Sequence, residues 1–291
     1  MSTRPIAMVT GAAGFIGRHV LRALVADGYD AVGVGRGTEH ERLTREKLSP
    51  LSAGLSLVVF CAGGSAVGQS HEAPLADFEK TVPPLAELLE LMRTHSPTAR
   101  LVLLSSGAVY GDAGHFPTSE DMPARPISPY GFHKRISEEL CLSWARNYGV
   151  RAAVVRLFSV YGPGLRKQLL WDACNKARAG EHQFLGTGRE VRDWLHIDDA
   201  VALILAVARV ASAEVPIFNG GTSVPTPVAA VVAQVFDALR VRGFEFVGAG
   251  RPGDPPQYLA DITRARSLGW HPKMDVQQGV AEYVRWFEEH G

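Results

Sequence analysis

The chain has 291 residues, of which 46% are hydrophobic and 21% are charged, a balance that excludes a disordered or low-complexity protein and allows one large core or two packed domains. The 30 lysines and arginines equal the 30 aspartates and glutamates, and without a basic excess we expect no nucleic-acid partner. Three scattered cysteines form no disulfide framework, and without a signal-peptide core or a membrane-spanning apolar run we expect a cytoplasmic protein with no membrane contact.

The first half of the chain alternates apolar strands with amphipathic helices. The pattern predicts strands over residues 6–10, 31–35, 57–61, 100–104 and 151–157. It predicts helices over residues 15–26, 75–94 and 129–148, the second interrupted by Pro83 and Pro84. Because the strands are apolar on both faces, we expect a parallel sheet covered by helices on both sides.

The pattern loosens after Gly162. It predicts helices over residues 167–179, 198–210, 227–241 and 276–288, and a short strand over residues 216–219. We therefore divide the chain into residues 1–162 and a smaller domain of residues 163–291 that is interleaved with the first. The expected fold class is α/β, a doubly wound parallel sheet with a smaller carboxyl-terminal domain.

A glycine-rich turn follows the first strand and opens the first helix. Gly11, Gly14 and Gly17 provide a tight turn, a backbone that a ligand can approach, and close contact of helix with strand. The free N–H groups of the helix amino terminus suit a pyrophosphate, so we assign the turn, with Ala13, Phe15 and Ile16, to a dinucleotide. The alternative is a glycine-rich turn without a ligand.

Arg36 follows the second strand, where dinucleotide-binding folds distinguish their cofactors. An acidic residue there would bind the ribose hydroxyls, but none occurs before Glu39, and the Arg36 guanidinium suits a 2′-phosphate. NADP(H) is therefore favoured, with NAD(H) as the alternative. Arg36 as a plain surface charge also remains open.

Tyr130 and Lys134 lie four residues apart at the start of a predicted helix, and so share one helical face. A phenol has a pKa of about 10, and we expect the ammonium and a cationic nicotinamide to lower it. Ser105 and Ser106 end a predicted strand, at the sheet edge where α/β active sites lie. Taken singly, each of these residues is equally consistent with a structural role.

Together these segments resemble the extended short-chain dehydrogenase/reductase family. The matching segments are the glycine turn and residues 105–111, 128–134, 156–164 and 192–198, which occur in the family's order over nearly the whole chain. The resemblance implies a Rossmann-type NAD(P) domain and a second domain that binds a nucleotide-diphosphate sugar. It also implies that Ser106 is the catalytic hydroxyl, that Tyr130 is the general acid/base, and that Lys134 binds the nicotinamide ribose and lowers the phenol's pKa.

The same resemblance supplies the remaining site residues. The cofactor cleft is assigned Cys61, Ala62, Gly63, Ser105 and Phe158, and the substrate is assigned Ser106, Tyr130, Ser159, Arg192 and Arg251, the two arginines clamping its diphosphate. Thr81 and Ser159 stand where the family usually has asparagine. Because the ten histidines show no paired ligand spacing, we expect no metal. A homodimer is expected by resemblance only.

Three reactions of this family compete. Family dehydratases carry an Asp-Glu pair after the catalytic hydroxyl, and Gly107 and Ala108, which stand there, cannot transfer a proton. Arg36 then favours an NADPH-dependent reductase of a 4-keto sugar nucleotide, with a 6-deoxy sugar expected, over a 4-epimerase that holds NAD tightly. A non-catalytic NADP(H) sensor is the alternative outside enzymology, although a sensor has no need of a proton relay.

Overall fold

The computed structural model describes residues 4–35, 54–248 and 257–291. In chain order the strands are β1 (Ile6–Thr10), β2 (Asp30–Val34), β3 (Leu55–Phe60), β4 (Arg100–Ser106), β5 (Arg151–Leu157), β6 (Ser159–Tyr161), β7 (Gln183–Leu185), β8 (Val191–Arg192), β9 (Trp194–His196), β10 (Ile217–Gly220), β11 (Thr226–Pro227), β12 (Glu245–Val247) and β13 (Gln257–Tyr258). The helices are α1 (Phe15–Ala26), α2 (Val67–Glu72), α3 (Pro74–His95), α4 (Pro129–Tyr148), α5 (Gln168–Ala179), α6 (Ile197–Ala208), α7 (Val228–Ala238), α8 (Thr263–Arg266) and α9 (Val276–His290), and a short 3-10 helix covers Gly107–Tyr110.

A six-stranded parallel sheet in the order β2-β1-β3-β4-β5-β10 forms the centre of the molecule. The chain places β2 on one side of β1 and β3 on the other, so the topological switch point lies between β1 and β3. In such sheets a ligand crevice opens at the carboxyl ends of the strands beside that point. The predicted α/β class and doubly wound parallel sheet are confirmed.

Both faces of the sheet are covered. On one face, Val9 and Val59 pack with residues of α1 and α6, including Val20 and Ile204. On the other face, buried residues such as Val58 pack against α3 and α4. The uninterrupted apolar strands are explained by this double burial.

A third cluster lies outside the sheet and joins α5, α7 and α9. Its members include Cys174, Phe184, Phe236, Tyr283 and Phe287, all buried. The second half of the chain does not lie wholly in this unit, because α6 packs on the large sheet and β10 is its edge strand beside β5. Among the described residues, no helix combines the length and apolarity needed to cross a bilayer.

Helix α3 runs from Pro74 to His95 without the interruption predicted at Pro83 and Pro84. That prediction is wrong because tertiary packing outweighs the local cost of two missing N–H donors. The helix buries Val82, and it packs Leu85 and residues of the next two turns against the sheet and α4. Pro83 itself faces solvent.

The glycine turn brings α1 unusually close to the turn that precedes it. Gly11 has a φ of 64°, and a Cβ on Gly17 would lie 2.2 Å from the Gly11 carbonyl oxygen. That oxygen also accepts a hydrogen bond from the Gly14 N–H at 2.8 Å. Any side chain at residue 17 would therefore push the helix away from the turn.

Gly17→Ala is expected to lower the free energy of unfolding by at least about 2 kcal/mol, because the new methyl group meets backbone that cannot rotate away. Gly68→Ala is the matched control, since a Cβ there meets nothing within 4 Å. We expect its stability to be unchanged or higher by up to about 1 kcal/mol. Urea unfolding of both variants is the measurement, and equal stability of the two would contradict the packing described here.

Candidate active site

A cleft of about 1390 Å³ opens at the carboxyl ends of β1, β3, β4 and β5 and continues along β6 to β8. Its walls include every predicted site residue that the structure describes. They are Gly11, Ala13, Gly14, Phe15, Ile16, Gly17, Cys61, Ala62, Gly63, Ser105, Ser106, Tyr130, Lys134, Phe158, Ser159 and Arg192. Arg36 and Arg251 lie outside the described residues.

The amino terminus of α1 forms one end of the cleft. Gly14 is the cap residue, no side chain caps the helix, and no acidic residue lies in its first turn. The first N–H groups of α1 are therefore available to an anion. Gly35 packs against the turn, since a Cβ on it would lie 3.2 Å from the Gly11 nitrogen. The backbone at this end fits the pyrophosphate of a dinucleotide.

The three predicted catalytic side chains lie together at the carboxyl end of β4. Ser106 ends that strand, and its Oγ accepts a hydrogen bond from the Ala108 N–H at 3.1 Å. The Tyr130 side chain lies beside Ser106 on the cleft wall, and the Lys134 Nζ lies 5.7 Å from the centre of the Tyr130 ring. The arrangement brings two hydroxyls and an ammonium together inside the cleft.

Local sequence explains how α4 delivers two of these groups. Ser128 caps the helix by accepting a hydrogen bond from the Gly131 N–H at 3.2 Å, and Pro129 occupies the first turn, where it costs no hydrogen bond. The Tyr130 N–H does not bond to the Ser128 cap and instead donates to the Ser70 Oγ at 3.0 Å. Lys134, one turn later, reaches down to donate to the Leu104 carbonyl at 3.0 Å.

Burial controls the proton affinities of this group. It raises the pKa of Tyr130 to about 12, a rise that the Ser106 hydrogen bond opposes and the Asp77 carboxylate increases. Burial also lowers the pKa of Lys134 to about 8, a change that Asp77 opposes. The protein's own residues thus hold the phenol as a neutral acid, so the lowered phenol pKa that was expected requires further positive charge from a bound group.

Tyr258 is a site residue that the sequence did not reveal. It lies on β13 in register with Arg192 of β8, and its ring centre lies 4.8 Å from that of Phe158. Its hydroxyl lies beside the end of β4, since a Cβ on Gly107 would lie 3.0 Å from it. Burial raises its pKa, and the neighbouring Tyr130 adds to the rise. Because β13 is only two residues long and follows a stretch rich in proline, no periodicity marked it.

A buried salt bridge lies behind the catalytic residues. Glu138, one turn after Lys134, accepts hydrogen bonds from Arg156 at 3.0 and 2.7 Å, and the two side chains are 5% and 2% exposed. Ser105, assigned to the cofactor from the sequence, donates to Glu138 at 2.6 Å. Arg156 in turn lies over the Tyr110 ring, and the Tyr110 hydroxyl donates to Asn219 at 2.7 Å.

The predicted substrate side lies across the cleft from the glycine turn. Ser159 begins β6, and Arg192 on β8 lines the same wall. Arg192 does not form a surface salt bridge with the neighbouring Asp193, because the Asp193 carboxylate is fully buried and accepts hydrogen bonds from Thr222 and the Ala260 N–H. Arg192 is thus placed where it can face an anionic ligand.

Lys167 and Gln168 both contact Ser65, and all three residues line the cleft. The Lys167 Nζ donates to the Ser65 Oγ at 2.6 Å, and Gln168, which begins α5, has a φ of 66°. Within the residues described, no cluster of three or more histidine, cysteine, aspartate or glutamate side chains could hold a metal ion.

Comparison with known proteins gives consistent matches. The model of the NAD dependent epimerase/dehydratase family matches residues 7–221. The UDP-glucose 4-epimerase of Mycolicibacterium smegmatis is 29% identical, and the match covers 96% of this chain and 97% of the relative's chain. The crystal structure of UDP-glucose 4-epimerase from Thermotoga maritima, with UDP-glucose, has a TM-score of 0.89 and 27% identity and covers 98% of this chain and 99% of its own. The structure of MoeE5 with UDP-glucose and NAD has a TM-score of 0.90 and 29% identity over 97% and 98% of the two chains.

Glu138→Ala is expected to lower the free energy of unfolding by about 3–5 kcal/mol, because it leaves Arg156 charged, buried and unpaired. Glu139→Ala, at the next position on the same helix, removes an exposed carboxylate that pairs with Arg135 and should cost less than about 1 kcal/mol. Thermal or urea unfolding distinguishes the two, and similar losses would show that the buried pair is not the anchor of α4.

Proposed function

We propose that this chain, which belongs to the NAD dependent epimerase/dehydratase family, is a nucleotide-sugar 4-epimerase that keeps NAD bound. It is an enzyme of the extended short-chain dehydrogenase/reductase type. The observation that carries the proposal is that Ser106, Tyr130 and Lys134 lie together in one cleft with the uncapped helix terminus of α1.

The residues suit a reversible proton transfer at C4 of a sugar. NAD, when bound, would accept the hydride from C4 of the sugar and return it to the same carbon. Tyr130 takes the proton of the C4 hydroxyl as that carbon is oxidised, and returns it when the ketone is reduced from its other face. Ser106 donates a hydrogen bond to the same oxygen where charge develops. Lys134 holds the nicotinamide ribose and favours the phenolate electrostatically.

The reductase preferred from the sequence has no support among the similar proteins. That preference, and the choice of NADP(H), depended on Arg36, which lies outside the described residues. The epimerase reading is supported by the Thermotoga maritima neighbour, and NAD by MoeE5, which is bound to NAD. A dehydratase is disfavoured because Gly107 and Ala108 follow Ser106 and carry no acid or base.

The substrate we propose is a uridine diphosphate hexose. UDP-glucose is the ligand in both neighbouring structures described above. Arg192 would pair with its diphosphate, and the wall formed by Phe184 and Val228 offers an apolar surface to the base. In this proposal residues 1–162 hold the cofactor and residues 163–291 mainly hold the substrate. The exceptions in the second range are β10 and α6, which pack on the sheet of the first domain.

A homodimer is the assembly we propose, through α3 and α4. Leu75 on α3 and Phe132, Ile136 and Tyr148 on α4 are large apolar side chains that face solvent, with exposures from 39% to 67%. Four such side chains on adjoining helices form a surface of the kind that protein partners cover. A second copy of the same helices would be a self-complementary partner.

Tyr130→Phe is expected to reduce turnover of UDP-glucose to UDP-galactose by about 10²–10⁴-fold, because it removes the group that exchanges the proton. Tyr29→Phe, which changes a tyrosine between α1 and β2 that does not line the cleft, is the matched control and should keep full activity. Nuclear magnetic resonance of the sugar products measures both, and comparable rates for Tyr130→Phe and wild type would reject the role given to Tyr130.

The cofactor is tested on the same preparations. Wild-type protein and Tyr130→Phe should each release about one equivalent of NAD on denaturation, and turnover should need no added reductant. Protein that purifies empty and oxidises NADPH with a 4-keto sugar nucleotide would overturn the epimerase in favour of the reductase.

Phe132→Asp is expected to convert the dimer into a monomer, because a carboxylate would be buried without a partner in the apolar interface. Val25→Asp on α1 is the control, since Val25 is 56% exposed on the opposite face of the sheet. Sedimentation of the two variants measures the change. A monomeric wild type, or a dimeric Phe132→Asp, would contradict this interface.

A further inference from the structure

Lys134 is a buried cation whose direct partner is uncharged. Its side chain is 6% exposed, and its Nζ donates to the Leu104 carbonyl. Taking an ammonium out of water favours its neutral form unless a negative charge acts on it. The role given to Lys134 in the proposed epimerase needs the charged form. The structure should therefore contain a source of negative charge close to it.

A carboxylate and an imidazole form a second buried pair beside this lysine. Asp77 on α3 and His133 on α4 are joined by a 2.6 Å contact between Oδ2 and Nδ1, and their side chains are 7% and 12% exposed. The Phe78 ring lies edge-on to the imidazole, 5.5 Å between ring centres. His133 directly precedes Lys134 in the sequence, yet the proposed reaction makes no use of this pair.

Two successive glycines separate the carboxylate from the ammonium. A Cβ on Gly64 would lie 1.7 Å from the Asp77 Oδ1, so the glycine backbone packs directly on the carboxylate. A Cβ on Gly63 would lie 3.5 Å from the Lys134 Nζ. The Gly64 N–H is held by the Thr81 Oγ1 at 2.9 Å. The carboxylate and the ammonium therefore both lie against the backbone of these two glycines, beside Thr81.

We propose that Asp77 is a positioning residue for Lys134: its buried negative charge keeps the ammonium protonated at the sheet edge, and His133 fixes the carboxylate in place. The inference rests on the proposed function, because it gives Asp77 a task only if the charge of Lys134 serves the reaction. Asp77 touches neither the substrate nor the reacting hydroxyls, and acts through the lysine.

The surrounding charges agree with this assignment. Burial lowers the pKa of Lys134 to about 8, and Asp77 is the strongest of the groups that oppose the change, ahead of Cys61 and Glu138. The charge of Glu138 is offset by Arg156 through their salt bridge. The Asp77 carboxylate contacts the His133 Nδ1 at 2.6 Å instead of a guanidinium.

The other groups around the pair fix the direction of the pH effect. On α4, Tyr130 also feels Asp77, which raises its pKa. On α2, His71 and Glu72 are exposed, as are Glu79 and Lys80 on α3. Because the pKa of Lys134 is lowered to about 8, its ammonium is charged in acid with or without Asp77. The contribution of Asp77 is therefore felt on the alkaline side, where Lys134 would otherwise lose its proton.

The test is a nuclear magnetic resonance titration of the full chain with lysine labelled at its ε carbon, using Lys134→Arg to assign the signal. In Asp77→Asn, which keeps the size and an oxygen acceptor for His133, the midpoint of Lys134 should fall by about one pH unit. Glu79→Gln, on the same helix, should leave it unchanged, as should His133→Gln, which keeps a donor to the carboxylate.

Activity supplies a second readout. In Asp77→Asn the alkaline limb of kcat should move to lower pH, with about a fivefold loss at the wild-type midpoint and little loss two units below it. A purely structural role would reduce kcat equally at all pH values. Asp77→Ser removes the same charge with a smaller side chain and gives the same test if Asp77→Asn does not fold.

The two proposals fail in different ways. An unchanged Lys134 midpoint in a folded Asp77 variant overturns the positioning role, whatever the wild-type activity. A wild type that does not epimerise sugar nucleotides overturns the proposed function, while the titration, which needs no substrate, still decides the source of the charge on Lys134.

Discussion

The salt bridge between Glu138 and Arg156 joins helix α4 to the middle of the sheet, and the site depends on that joint. Glu138 is on the helix, Arg156 is on β5, and Ser105 of β4 donates to the same carboxylate. Because Tyr130, Lys134 and Glu138 are spaced four residues apart, they share one face of the helix. Fixing Glu138 against two strands therefore fixes where the ammonium and the phenol project into the cleft.

Much of this architecture was predictable because it is local. The bounds of β1, α1, α4 and β5 follow from apolar runs, a glycine turn, and a Ser-Pro start with a glycine stop. The four-residue spacing places Tyr130 and Lys134 together once the helix is known, and the parallel sheet brings the end of β4 to the same edge. Local rules failed at Pro83 and Pro84, where burial of the neighbouring residues keeps α3 continuous.

What the sequence did not reveal depends on contacts between distant segments. Tyr258 reaches Ser106 only because a two-residue strand pairs with β8, and Asp77 reaches His133 only because α3 packs on α4. Neither contact leaves a periodic pattern. The choice of reductase over epimerase shows a related weakness, since it was inferred from one arginine at the end of a strand. Residues that distinguish related reactions carry little of the folding energy, so hydrophobic patterning does not report them.

The edge strand β10 also affects how the protein is made. Residues 217–220 pair with β5, which is complete some sixty residues earlier in the chain. During synthesis, β5 has a bare row of backbone donors and acceptors until the ribosome has delivered this segment, and an unpaired edge is a template for aggregation. The outer edge of β5 thus stays unpaired until most of the polypeptide has been translated. In a chain that ends after residue 162, this edge would never be paired.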